Sequence, residues 1–226
     1  MNKKFLNWSI YHPFSVLLLI LILILTPLLM SCVAPQIYSK INHQQLSLSN
    51  GLMQKNGISF ITPSTVTGQE EEKQAVAFTF VDVLKRERPD LRFVTLPETL
   101  NAVNRAGLAT EYQLMFADYK DTGIFNRETL LKIADVTQTR YIAQLKLAGF
   151  SQGSTSRLGI FGLRLIATKH AKLRLFFQIW DAKDGAIAWE AVQELNWAEE
   201  KFAEDTIALQ TVIEKAAINI ASRLPQ

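Results

Sequence analysis

Over its 226 residues the chain carries 24 basic and 21 acidic side chains, a formal net charge of +3. So small an imbalance supplies no global field for nucleic acid. The one cysteine excludes a disulfide closed within the chain and a thiolate metal cage.

Residues 1–31 open with Lys3 and Lys4, continue through an unbroken apolar run at 16–25, and break at Thr26 and Pro27. This is the three-part layout of a secretory signal. The competing reading is an uncleaved membrane span. The weakly polar and apolar stretch at 15–31 is 17 residues, the lower edge of the roughly 17–25 needed to cross a bilayer. Leu29, Met30, Ser31 and Cys32 close the segment and resemble the lipobox of bacterial lipoproteins. That resemblance implies a peptidase that recognises Leu29, Met30 and Ser31 and cuts before Cys32. It also implies acyl chains such as palmitate on the thiol and on the new amino terminus. Two or more chains make a stable membrane anchor, whereas one binds marginally. Val33 and Ala34 follow the cysteine where inner-membrane lipoproteins often carry Asp, so the expected location is the periplasmic leaflet of the outer membrane. Removal of residues 1–31 leaves 195 residues with 22 basic and 21 acidic side chains, enough for one domain plus a tether.

Residues 33–56 are rich in Gln, Asn and Ser and hold no sustained period, which predicts a flexible tether over 32–56. Leu46, Leu48, Leu52 and Met53 leave room for a short ordered piece. The domain is expected over 57–226, beginning with a strand at 57–62. Thr67 and Glu70 have capping-box spacing, and Glu70, Glu71 and Glu72 then sit in a first helical turn, where the helix dipole favours anions. Arg88 and Pro89 end that helix. A second strand at 91–96 leads into a capping box at Thr95 and Glu98. Two more helices follow, the second capped by Asn126.

From Arg140 the apolar period changes to two. Tyr141, Ala143, Leu145 and Leu147 alternate with polar residues, as do Leu173, Leu175, Phe177 and Ile179. A turn at 181–185, with Gly185 at the positive-φ position, joins the second of these strands to a return strand bearing Trp189. The expected register pairs Trp180 with Ala186, Phe177 with Trp189 and Lys172 with Glu194. An amphipathic helix capped by Asp205 ends the chain. The fold class is therefore α/β: a mixed sheet with helices packed on it, late antiparallel hairpins and a C-terminal amphipathic helix.

Between Tyr141 and Trp180 there is no acidic residue, but there are six basic ones. Arg157, Phe161, Arg164 and Lys169 in this strip are the candidate interaction surface, facing an anionic membrane or an acidic protein. The competing reading is a solvated face whose basic residues pair with Glu190, Glu194, Glu199, Glu200, Glu204 and Asp205.

The helix and strand at 129–147, the turn residues Asp181 and Gly185, and Trp189 on the return strand resemble a group of bacterial envelope lipoproteins and periplasmic domains. The group comprises the curli-secretion lipoprotein, the lipoprotein activators of penicillin-binding proteins and the amino-terminal domain of the Tol translocation protein. The resemblance implies an α/β domain that binds an envelope protein, anchored by lipid, with no catalytic residue. No G-x-S-x-G, H-E-x-x-H or P-loop occurs, and His12, His43 and His170 lie far apart in sequence. A catalytic role, a metal and a cofactor are accordingly not expected, nor is nucleic acid as a partner. The rival functions are an oligomeric secretion or transport component and a glycan-acting enzyme.

Overall fold

The computed structural model describes residues 16–17, 20, 34–66, 69–160, 163–201 and 206–226, with backbone alone at 156–160, 163–166 and 201. The chain divides into two compact units, Met1–Ala34 and Pro35–Gln226. In the first, Val16, Leu17 and Ile20 are helical and exposed. Among the described residues, no helix is long and apolar enough to cross a membrane.

The second unit runs β1 (Gln36–Gln45), α1 (Leu52–Asn56), β2 (Ile58–Phe60), β3 (Ser64–Thr65), α2 (Glu70–Glu87), β4 (Phe93–Val94), α3 (Leu96–Arg105), α4 (Ala109–Thr122) and α5 (Arg127–Thr137). It continues through β5 (Tyr141–Ile160), β6 (Leu163–Asp181), β7 (Ala186–Lys201) and α6 (Leu209–Ala221). The strands form one mixed sheet in the order β1-β7-β6-β5-β2-β4, with β3 also on β5. Its β1-β7-β6-β5 part is antiparallel, and β2 pairs in parallel with both β4 and β5. The α/β class expected from the sequence is the class observed.

Period-two alternation sends successive residues of β5 to opposite faces. Tyr141 joins a core made with α2 and α6, whereas Ile142 joins a second core made with α3, α4 and α5. In the first, Phe177 packs against Phe80 of α2 at 4.9 Å and edge-on against Trp189 at 5.9 Å between ring centroids. In the second, Trp180 meets Phe125 edge-on at 5.1 Å.

Local signals placed several helix ends correctly. The capping box at Thr95 and Glu98 forms, and Asn126 accepts from the Thr129 N–H at 3.0 Å. Elsewhere the structure differs. The N-cap of α2 is Gln69, with no side-chain capping bond, and Thr67 lies outside the described residues. Asp205 also lies outside them, and α6 starts after Ala208.

Two differences bear on function. The predicted tether is instead β1, paired antiparallel with β7 from Gln36 opposite Ala198 to Gln45 opposite Trp189. Leu48 and Met53, just beyond it, are buried in the first core. An edge strand held largely by its backbone, with Ile41 as its one apolar side chain packed against the core and His43 beside Trp189, needs no apolar alternation, so its sequence reads as featureless. The other difference is register. Asp181 enters the ladder opposite Ala186, and a bulge beside Ile179 and Trp180 adds one further step. Phe177 thus faces Ala191, Trp189 faces Ile179, and Glu194 faces Arg174. A slip of two keeps every side chain on its expected face, which is why Phe177 and Trp189 still touch.

Candidate functional site

The β5–β6 hairpin is longer than its core requires. Ladder pairs continue from Tyr141 opposite Asp181 out to Ile160 opposite Leu163. Among the described residues, the outermost β7 pair is Lys201 opposite Ala167, and the outermost β1 pair is Gln36 opposite Ala198. The outer rows of the hairpin, among the described residues, pair only with each other. The chain enters the domain at this same end: Gly153, His170, Ala198 and Gln36 lie in one row across β5, β6, β7 and β1. A Cβ on Gly153 would meet the His170 Nε2 at 2.6 Å. The missing side chain is what lets the imidazole lie over β5.

At the other end, the 181–185 turn is tied down. Asp181 is buried and accepts from Arg140 Nε at 2.9 Å, from Arg140 Nη2 at 2.6 Å and from the Lys183 N–H at 3.0 Å. Hydrogen bonding to Asp181 raises the Arg140 pKa above the ordinary guanidinium value. Gly185 adopts φ 75°, as the turn requires.

Between the two ends lies a sheet face whose side chains reach solvent. Across it run Lys146, Phe176, Val192 and Asn42, then Arg174, Glu194 and Lys40, then Ser151, Lys172, Asn196 and Tyr38. Tyr38 is 63% exposed. Arg174 lies 5.3 Å from the Phe176 ring centroid and pairs with Glu194 at 3.5 Å, both charges about half exposed. Such exposed pairs add little stability, about 0–1 kcal/mol. The solvated-face reading is thus realised at Arg174. Glu190 instead accepts from Gln178 Nε2 at 3.1 Å.

The predicted surface residues separate. Lys169 is only 4% exposed, opposite Ser154 and Glu199 in register. It faces the same side as Ala171 and Leu173, because β6 alternates strictly there, and so it leaves the accessible surface. Arg157 falls at a bulge between Ser156 and Leu158, and Arg164 sits opposite Gly159. Both lie on the outer rows of the hairpin. Arg164 is ten residues, roughly 33 Å, from Arg174, which places it beyond reach of Glu190 and Glu194. Phe161 lies outside the described residues, as do Leu29, Met30, Ser31 and Cys32. Sequence reasoning missed the contribution of β1 to the open face, including Tyr38 and Lys40. Among the described residues, no group of three or more His, Cys, Asp or Glu could hold a metal ion.

No known protein family and no curated protein matches the chain. Solved structures do. PelC from Paraburkholderia phytofirmans, described as a dodecamer, is 10% identical with a TM-score of 0.45, and the match covers 82% of this chain and 96% of that one. The lipoprotein GNA1162 from Neisseria meningitidis is 10% identical with a TM-score of 0.35, covering 75% of this chain and 99% of that one. The LpoB C-terminal domain from Salmonella enterica is 14% identical with a TM-score of 0.35, covering 64% and 96%. Of the three, GNA1162 is described as a lipoprotein. At such identities, no residue role or ligand is carried over from them.

Proposed function

We propose that the chain is a non-catalytic lipoprotein, anchored through Cys32 in the outer membrane, whose periplasmic domain binds an envelope protein on its open sheet face. One observation carries this reading. The chain enters the sheet at Gln36, toward the end where β5 and β6 pair beyond the last described β7 row. Cys32 precedes Gln36 by four residues, at most about 14 Å of extended chain. An acylated Cys32 holds that end of the domain near the membrane surface. The hairpin, with Arg157 and Arg164, then meets anionic headgroups, and the open face stays available from the side. Tyr38 and Phe176 among mixed charges give that face the make-up of a transient protein interface.

The test is intact-mass analysis of protein extracted from membranes. The expected species begins at Cys32 and carries acyl mass, and Cys32→Ser abolishes both acylation and normal processing. A species retaining Met1, or one without acyl mass, contradicts the reading. The second reading, an oligomeric secretion component, draws on β1, a ten-residue strand at the sheet edge with its outer side unpaired among the described residues. Light scattering of the acylated protein in detergent separates a monomeric adaptor from a closed ring.

A further inference from the structure

Near the β5 end of α4, the loop between β2 and β3 borders a groove of about 620 Å³. Three lysines from three separate elements line it: Lys73 of α2, Lys120 of α4 and Lys146 of β5. They are 26 to 73 positions apart in the chain, so folding alone brings them together. Among the described residues, no carboxylate lines the groove. Glu70 touches Lys73 from the first turn of α2 at 3.3 Å, and Lys120 and Lys146 are exposed. Like charges gathered in a concave wall raise the local positive potential, and an anion relieves their mutual repulsion.

The rest of the lining has a fixed shape. The Thr62 N–H donates to the Tyr112 hydroxyl at 2.9 Å, and the Thr62 hydroxyl shares a second hydrogen bond of 2.9 Å with it. Burial pushes the Tyr112 pKa up to about 12, so the phenol stays neutral and the loop stays pinned across the physiological range. Gln144 donates to the Ser64 hydroxyl at 3.4 Å from beneath. Ser64 and Thr65 bring hydroxyl groups to the wall, and Phe116 and Tyr119 bring aromatic rings.

Amines, hydroxyls and two aromatic rings make a concave site with a few polar groups set beside apolar surface, the usual make-up of a small-molecule pocket. We propose that this groove binds an anionic sugar, a saccharide bearing a carboxylate or a phosphate. The lysines act as point charges on the anion, and the rings lie against the sugar's apolar face. The groove shares Lys146 with the edge of the open sheet face, and the proposal stands whether or not Cys32 is acylated.

The experiment is calorimetric titration of the Pro35–Gln226 unit, which contains both cores, with trigalacturonate, glucose 6-phosphate, maltotriose and inorganic phosphate. The expected result is saturable binding of trigalacturonate or glucose 6-phosphate that weakens as salt rises, with maltotriose silent. Which of the two binds tells a carboxylate from a phosphate source. Lys120→Glu with Lys146→Glu should weaken binding about tenfold or more, since two charge-assisted contacts are reversed in sign. Lys120→Gln with Lys146→Gln should weaken it less, and Lys55→Glu on α1 should leave it unchanged. A thermal melt of each variant confirms that it is folded. No binding by either anionic sugar at millimolar concentration, or unchanged binding by the folded double variant, overturns the proposal. Inorganic phosphate binding as tightly as glucose 6-phosphate overturns its sugar component.

Discussion

At the 181–185 end of the sheet, Phe177, Ile179 and Trp189 are fully buried on one face and Trp180 on the other, while Ser151, Gln152, Ser154 and Thr155 toward the hairpin end are all exposed. The same two strands, β5 and β6, run through both regions. Where helices cover them they carry the core, and at Ser151, Gln152, Ser154 and Thr155 the side chains of β5 reach solvent. The proposed membrane contact lies toward that outer end. In the proposed reading, stability and interaction are divided along one pair of strands.

That division can be broken by substitution at either end. The largest effect is expected at Trp189, which is 0% exposed and meets Phe177 at 5.9 Å between centroids. Trp189→Ala should cost about 3–5 kcal/mol, the usual range for a large aromatic removed from a core. Urea melts of Pro35–Gln226 measure it, and a change within about 0.5 kcal/mol, typical of surface sites, would show that this end is not the core of the fold. At the hairpin end, Arg157→Glu with Arg164→Glu should change stability by no more than about 0.5 kcal/mol. The same pair should weaken association with anionic vesicles, and the loss should shrink as salt rises. Co-sedimentation across a salt series beside a thermal melt reads both. A markedly lower melting temperature would return the hairpin to the fold's own charge pairing.

Much of the covered half was legible in the sequence. The alternation from Tyr141 onward, the Thr95 and Glu98 capping box, the Asn126 cap and the Gly185 turn each reflect a local rule with a local signature. What escaped depends on partners distant in the chain. β1 has exposed side chains at nine of its ten positions and is held by backbone bonds to β7, 144 to 162 residues on. A backbone ladder leaves no trace in composition. One step of the register slip comes from Asp181 entering the ladder and the other from a bulge, and no residue type announces one between Ile179 and Trp180. Lys169 reads as surface because lysine is charged, yet β6 alternation sets it on the buried side with Ala171 and Leu173. The groove lysines lie on three elements, and a linear reading cannot bring them together.

The arrangement of the two ends relative to the membrane is most directly tested by quenching. An environment-sensitive fluorophore is attached to a cysteine replacing Thr155 near the hairpin, or Lys183 in the opposite turn, in protein acylated at Cys32. Both positions are exposed, and they lie toward opposite ends of the sheet. The protein is then placed in vesicles containing spin-labelled lipid. Strong quenching from position 155 and little from position 183 is the predicted result, because Cys32 leads into the sheet at the hairpin end. Equal quenching at the two positions, or stronger quenching at 183, would contradict it.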